Sequence, residues 1–352
     1  MYNIRQLTDL FNDSEKSGEY NGKIINDEKL SSRTSMNTGG CAKLFLEPAD
    51  EKSLIFSVKK LLSQNTDFFL LGGGSNLVIS DQGLDVVIST RAINKIKILN
   101  DDNKKKDSDD FLLQIESGAG WAKVINFCKK ENLSGFESFT GLSGSAGGAL
   151  FMNASCFGLS ACDNLVKVTY FDTEDLTLKD YDFNSVHWGY KKSPFQNQYM
   201  PSGEDLGALR GLPAERGVDA RNCGPGERLL PSKIIISAVF RLKKGFDEKK
   251  SESVLQSRRE KGHFRAPSSG SAFKNDPEKG IVAGKIIDEC ELKGLKVGGA
   301  QIAPWHGNFI INPERKATGA DVKNLSMEVK KIVMEKKGIE LESEIIFVGN
   351  FS

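Results

Sequence analysis

The sequence predicts an α+β chain of two or three domains, on three observations. Its 352 residues exceed what one ordinary compact domain holds. Its apolar segments switch between a strand period and a helical period without repeating as strand–helix–strand units. Glycine-rich joints separate those segments, so the strands are short and the turns tight.

Taken in order, residues 1–30 read as an N-terminal segment. They hold no basic stretch followed by an apolar run, and no membrane-span-length apolar run occurs anywhere, so a cytoplasmic protein is expected. ADEKSLIFSVKKLLSQ (49–64) places Leu54, Ile55, Val58, Leu61 and Leu62 at helical spacing behind an acidic first turn. FFLLGGGSNLVIS (68–80) is a short strand running into three glycines, and VVIST and FLLQIES follow as strands. WAKVINFCKKEN (121–132) is a second helix, with Trp121, Val124, Ile125 and Cys128 on one face. TGLSGSAGGALFMNAS (140–155) is another glycine block, and VKVTYFD and IIISAVFRL alternate as strands. Between them, residues 199–232 carry four arginines and no lysine, a composition shift that marks an insertion or loop. A charged connector helix opens a C-terminal unit over 251–349. This unit contains the helix AGKIIDEC, the turn KVGGAQ, the strand NFIIN, a long helix from about 320 to 337 behind Thr318-x-x-Asp321, and a closing strand IELESEIIFVG.

Lysine plus arginine (48) nearly cancels aspartate plus glutamate (47), so no global field steers the chain to nucleic acid or an anionic membrane. Six cysteines without Cys-x-x-Cys or Cys/His ligand spacing read as reduced packing thiols, and no metal site is expected. The chemistry lies in the glycine blocks. Gly72-Gly73-Gly74-Ser75-Asn76 and Gly141-Leu142-Ser143-Gly144-Ser145-Ala146-Gly147-Gly148 suit close approach of backbone amides to a diphosphate, with Asn76 and Ser145 as added donors. Two tight turns are the plainer alternative for either block alone. Neither block is GxGxxG before a helix or GxxxxGK[ST], which disfavours Rossmann and P-loop sites. Trp121 and Phe136 read as core rather than as flavin-stacking rings. Ser271, in PSSGSAFKN, has no histidine partner and no GxSxG elbow, so a hydrolase nucleophile is disfavoured. Lys191 and Lys192, in HWGYKKSPF, read either as a carboxylate or phosphate contact or as a solvated pair.

Seven motifs keep a common order: GGGSNLVISD, GLSGSAGGALFMNAS, WGYKKSPF, PSSGSAFKN, AGKIIDECELKG, GGAQIAPWHGNFIIN and LESEIIFVG. Together they resemble the UDP-N-acetylenolpyruvoylglucosamine reductase (MurB) family over roughly residues 31–349, in its shorter class without a tyrosine-bearing loop. The resemblance implies an FAD-binding domain of the vanillyl-alcohol-oxidase (PCMH) type in two subdomains over 31–250, and a smaller α+β substrate domain over 251–349. It implies that NADPH reduces FAD, and that hydride then passes to C3 of the enolpyruvyl group of UDP-N-acetylglucosamine enolpyruvate. The carbanion at C2 then needs a proton, and its charge spreads onto the neighbouring carboxylate.

Position by position, the family's serine falls on Ser271 as proton donor. Its closing acid falls on Glu344, which if protonated could hydrogen-bond the developing enolate. Its GYR arginine falls on Lys191, a departure that keeps the charge and loses the two-pronged contact. The resemblance assigns Gly72, Gly73, Gly74, Ser75, Asn76, Leu77, Gly141, Gly144, Ser145, Gly147 and Gly148 to the cofactor. Tyr190, Asn275, Gln301 and His306 fall to the substrate, Gln301 and His306 also being readable as turn or packing residues. Further departures are Asn37-Thr38-Gly39-Gly40 for the family's Arg-Ile-Gly-Gly, Ser143 for proline, and Ser155-Cys156-Phe157 for Gly-Ala-Tyr. Small-molecule partners only and a monomer are expected. The competing readings are another FAD oxidoreductase of the same fold and a non-catalytic flavin or UDP-sugar binding relative.

Overall fold

The computed structural model of the chain describes residues 3–99, 110–196 and 230–351, with the backbone of 199–200. Most of the insertion read over 199–232 lies outside the described residues. At its two ends Tyr199–Met200 pairs antiparallel with Leu230–Pro231.

Two larger sheets organise the first two-thirds of the chain. One has the strand order Gly22–Lys29, Cys41–Pro48, Leu84–Ser89, Phe69–Leu71, the last two parallel. The other is antiparallel, in the order Thr177–Asp182, Leu165–Asp172, Lys233–Lys244, Asp110–Glu116, Ile96–Leu99. By compactness the chain falls into two units, 1–26 with 44–73 and 86–255, and 27–43 with 74–85 and 256–352.

The first unit has two cores, and its long strand Lys233–Lys244 supplies both. Successive strand residues point to opposite faces, and a bulge between Ile235 and Ser237, opposite Tyr170 and Thr169, reverses the alternation partway along. Ile234 and Ile236 join Leu7, Phe11, Leu54, Val58 and Leu61 on one side, while Ile235, Ala238 and Phe240 join Trp121, Phe136 and Phe139 on the other. The strand that reads as half-buried alternation is therefore buried on both faces from Ile234 to Phe240. Helix Glu51–Ser63 forms as its spacing predicts, its first turn capped by the Asp50 side chain accepting from the Ser53 N–H at 2.8 Å. A helix at Ile4–Lys16 and the strand Gly22–Lys29 occupy what reads only as an N-terminal segment. Trp121 meets Phe139 edge-on at 4.5 Å and Phe136 at 5.3 Å, all buried, as the packing reading of Trp121 and Phe136 requires.

The second unit holds a four-stranded sheet in the order Ser268–Ser271, Phe309–Ile311, Ala300–Ile302, Lys296–Val297. Helix Gly319–Lys337 shares its core through Val322, Leu325, Val329 and Val333. Thr318 and Asp321 form the reciprocal cap that their spacing predicts, and Gly338 ends the helix at φ 66°. The closing segment is shorter than its apolar run suggests. Only Ile346–Val348 is a strand, parallel to Leu77–Ile79. Among the described residues no helix is long and apolar enough to cross a membrane.

Candidate functional site

In the first unit three glycine turns meet backbone to backbone. Strand Phe69–Leu71 delivers Gly72 and Gly73, strand Asp110–Glu116 delivers Gly118 and Gly120, and the second glycine block delivers Gly144 and Ser145. A Cβ on Gly73 would lie 2.5 Å from Gly144 Cα and 2.6 Å from Ser145 N, so only glycine permits this approach. Ladder-like bonds knit the turns: Ala146 N–H donates to Ala119 O at 2.8 Å, Gly147 N–H to Ser117 O at 2.8 Å, and Trp121 N–H to Gly144 O at 3.3 Å. Ser145 caps the short helix Ala146–Phe151, its hydroxyl accepting from Gly148 N–H at 3.3 Å. Gly141, at φ 75°, makes the turn into this block.

The turns line a cleft of about 240 Å³ whose other walls are Arg91, Asn94 and Lys123. Lys123 Nζ donates to Asn94 O at 2.7 Å and to Asn94 Oδ1 at 2.6 Å, and Asn94 Nδ2 donates to Arg91 O at 2.9 Å. Neither Arg91 nor Lys123 pairs with a carboxylate among the described residues, so two uncompensated positive charges edge a glycine-walled cleft. That donor set fits a diphosphate, and the volume, below the ~300–1,000 Å³ of typical ligand pockets, fits part of a dinucleotide. Sequence reasoning missed Arg91, Asn94, Gly118, Gly120 and Lys123. Gly118-Ala119-Gly120 after a strand was a readable signal; Arg91 and Lys123 carried none.

Tyr190 and Lys191 form the tip of a two-residue turn in the same unit. Gly189 and Lys192 exchange backbone hydrogen bonds at 3.2 and 3.0 Å, and Lys191 adopts the left-handed φ of 56°. Such a backbone is costly for a residue with a Cβ and persists where surroundings over-determine it. Here Gln196 Nε2 donates to Lys191 O at 3.0 Å and Asn153 Nδ2 to Gly189 O at 2.7 Å. Ser193 Oγ also donates to Phe151 O at 2.7 Å, which ties the turn to the end of the second glycine block. Tyr190 is exposed, and Lys191 Nζ lies 5.9 Å from its ring centroid.

The remainder of the first glycine block, Gly74 to Leu77, belongs to the second unit. Gly74, at φ 65°, turns against the Arg33 carbonyl, and its own carbonyl accepts from Ser35 N–H at 3.0 Å. Ser75 is half-buried beside it. Asn76 Nδ2 donates to Glu344 O at 2.9 Å, and Ile346 N–H donates back to Asn76 O at 3.0 Å. Leu77 O accepts from Ser269 Oγ at 3.2 Å. This block, Ser271 and Glu344 are thus gathered in one unit.

Ser271 ends a bulged strand. Ser268 faces Ile311 and Ser271 faces Phe309, so the strand carries one residue more than its partner, with Gly270 at φ 78° taking the kink. Beyond the kink, Glu344 N–H donates to Ala272 O at 2.8 Å, Phe273 bridges Ser343, and Lys274 N–H donates to Glu342 O at 2.8 Å. Ser271 and Glu344 therefore sit one residue apart across a short antiparallel pairing. Ser271 is half-buried, and its hydroxyl has no partner among the described residues.

The other three predicted substrate contacts also lie in the second unit, each with a structural bond. Asn275 Oδ1 accepts from Ala283 N–H at 3.0 Å, at the start of helix Ala283–Glu289. Gln301 Nε2 donates to Gly294 O at 3.2 Å. His306 stacks on Phe309 at 4.0 Å, and its Nδ1 accepts from Asn308 N–H at 3.2 Å, which leaves the ring proton on Nε2. Burial, then the Lys261 charge, holds His306 below the usual imidazole range. Burial and Arg258 push neighbouring His263 down to about 4. Both rings are neutral at neutral pH, so His306 can offer a phosphate a hydrogen bond but no charge.

Comparison with known proteins agrees in both halves of the chain. Residues 262–348 match the family model for the UDP-N-acetylenolpyruvoylglucosamine reductase C-terminal domain, and residues 42–179 match an FAD binding domain. A UDP-N-acetylenolpyruvoylglucosamine reductase of Treponema denticola is 38% identical over 94% of this chain and 95% of its own length. One from Fusobacterium nucleatum is 32% identical over 93% and 99%. The crystal structure of the Thermus caldophilus UDP-N-acetylenolpyruvylglucosamine reductase superposes with a TM-score of 0.65 at 25% identity, covering 94% of this chain and 100% of that one.

Proposed function

The chain belongs to the UDP-N-acetylenolpyruvoylglucosamine reductase family, and on that premise we propose that it reduces UDP-N-acetylglucosamine enolpyruvate to UDP-N-acetylmuramate for peptidoglycan synthesis, in the cytoplasm, at the expense of NADPH. The observation that carries the reading is the placement of Ser271 next to Ala272, whose carbonyl accepts from the Glu344 N–H, in a unit that also holds the asparagine of the first glycine block. The glycine-walled cleft fits FAD, because only residues without a Cβ bring Gly73 and Gly144 together. FAD held there would supply the hydride-transfer chemistry between NADPH and C3 of the enolpyruvyl group.

Gly72, Gly73, Gly144, Ser145, Arg91 and Lys123 would hold its diphosphate portion, with Gly147 and Gly148 shaping the turn. Ser271 gives the proton that C2 requires. A carbanion there is a strong base, so a neutral hydroxyl suffices as donor, and solvent returns the proton to the serine. One hydride from NADPH and one proton by way of Ser271 complete the addition across the double bond. Glu344 and Lys191 act on the substrate carboxylate, where the negative charge spreads. Tyr190, Asn275, Gln301 and His306 contact the sugar nucleotide. Tyr190 and Lys191 apart, residues 31–250 serve the cofactor and 251–349 the sugar nucleotide, and the protein acts as a monomer.

Incubating the purified protein with NADPH and the enolpyruvyl sugar, then weighing the product by mass spectrometry, tests the reading. The sugar should gain the elements of H₂, one molecule for each NADPH consumed; consumption of NADPH with release of peroxide and an unchanged sugar would refute it. Lys191→Arg tests the departure from the family pattern. A planar guanidinium grips a carboxylate with two bonds, so turnover of the sugar should rise by up to about tenfold at unchanged NADPH bleaching. A loss of turnover would remove residue 191 from the substrate carboxylate.

A further inference from the structure

We infer that Asn308 is a positioning residue for the proton-delivery step, its side-chain amide standing in for a strand neighbour of the segment that carries Ser271. The inference rests on the proton-donor reading of Ser271. NFIIN reads in sequence as a strand, and nothing there gives its first asparagine a task. In the fold Asn308 is 3% exposed. Its backbone carbonyl accepts from Ala272 N–H at 2.8 Å. Its Oδ1 accepts from Phe273 N–H at 2.9 Å, and its Nδ2 donates to Phe273 O at 2.8 Å.

That reciprocal pair is what a neighbouring strand gives a residue. Backbone bonding between this strand and Asn308–Ile311 ends with the Ala272 N–H, because the next residues turn to Glu342–Glu344 on their other flank. Phe273 is fully buried, so no water can take over its N–H and C=O. The amide of Asn308 fills that place, and the segment is held on both flanks. Ser271 immediately precedes it, and Glu344 is bonded across Ala272. With Asn308 removed, the relative placement of hydroxyl and carboxyl loses one of its two supports. A displacement of about 1 Å can cost about a hundredfold in rate.

Asn308→Asp provides the test, since only a protonated carboxyl reproduces both the acceptor and the donor of the amide. The charged and titratable groups around it are His306, bonded to the Asn308 N–H, with His263 beyond it, and Lys274, Glu342 and Glu344 on the other flank of Phe273. In the variant, flavin bleaching by NADPH should match the unmodified protein. Reoxidation by the enolpyruvyl sugar should be slowed about a hundredfold at high pH and recover as pH falls and the buried carboxyl gains its proton. Combined with Ser271→Ala, the substitution should add no further loss.

A reoxidation pH profile parallel to that of the unmodified protein, equal losses in both half-reactions, or additive losses in the double variant would each overturn the positioning role. If Asn308→Asp does not fold at high pH, refolding without recovery of reoxidation at low pH overturns it as well. An unimpaired Ser271→Ala variant would instead remove the reading on which the inference rests.

Discussion

Ser271→Ala is expected to leave flavin bleaching by NADPH within about twofold, while reoxidation by the enolpyruvyl sugar falls by about 10²–10⁴-fold, the usual contribution of a positioned general acid. The separation follows from where the serine stands. Its hydroxyl bonds to nothing among the described residues, so its removal orphans no buried group, and folding stability should stay within about 0.5 kcal/mol. The neighbouring backbone bonds from Ala272 and Phe273 do not pass through the side chain and should persist. Rapid mixing of the two half-reactions checks the result. Equal loss in both would mean that the serine shapes the site without donating a proton.

Gly73→Ala should hold FAD more weakly and purify paler than the unmodified protein. The added methyl would lie 2.5 Å from Gly144 Cα and 2.6 Å from Ser145 N, both backbone atoms that cannot rotate away. The two glycine turns would have to separate, at a cost of about 1–3 kcal/mol. Since 1.4 kcal/mol is a factor of ten, FAD affinity should fall by roughly ten- to a hundredfold and the melting temperature by several degrees. Gly120→Ala is the contrast, because its methyl would meet only Gly144 O at 3.8 Å. It should melt like the unmodified protein. Fluorescence titration of the apo-protein with FAD, beside thermal melts, measures both effects. Unchanged FAD affinity in Gly73→Ala would mean that the cleft is not where the dinucleotide sits.

Much of this could be read from the chain, for physical reasons that differ between elements. Helix Glu51–Ser63 and helix Gly319–Lys337 announce themselves because apolar spacing and capping residues agree. Helix Ile4–Lys16 was legible and missed: Ile4, Leu7, Leu10 and Phe11 stand at helical spacing, and all four pack into one core. The glycine blocks were legible as tight turns, but their mutual contact was not, since Gly73 and Gly144 are joined only by the way the strands pair. Arg91 and Lys123 were invisible for the same reason. Ser271 gave no strand period because a bulge at Gly270 breaks the alternation. The closing run looked like one long strand because LESEI alternates, yet only Ile346–Val348 has a strand partner, and Ser343 and Glu344 pair singly with the serine segment. Asn308 shows a further limit: an asparagine that replaces a strand neighbour looks, in sequence, like the end of a strand.

The most direct test is a single turnover without oxygen. Protein bleached by one equivalent of NADPH, freed of excess nucleotide and mixed with UDP-N-acetylglucosamine enolpyruvate, should regain its yellow colour as the sugar is converted to UDP-N-acetylmuramate in equal amount. Flavin that stays bleached in the presence of that sugar, and recovers colour only when air is admitted, would contradict the reductase reading.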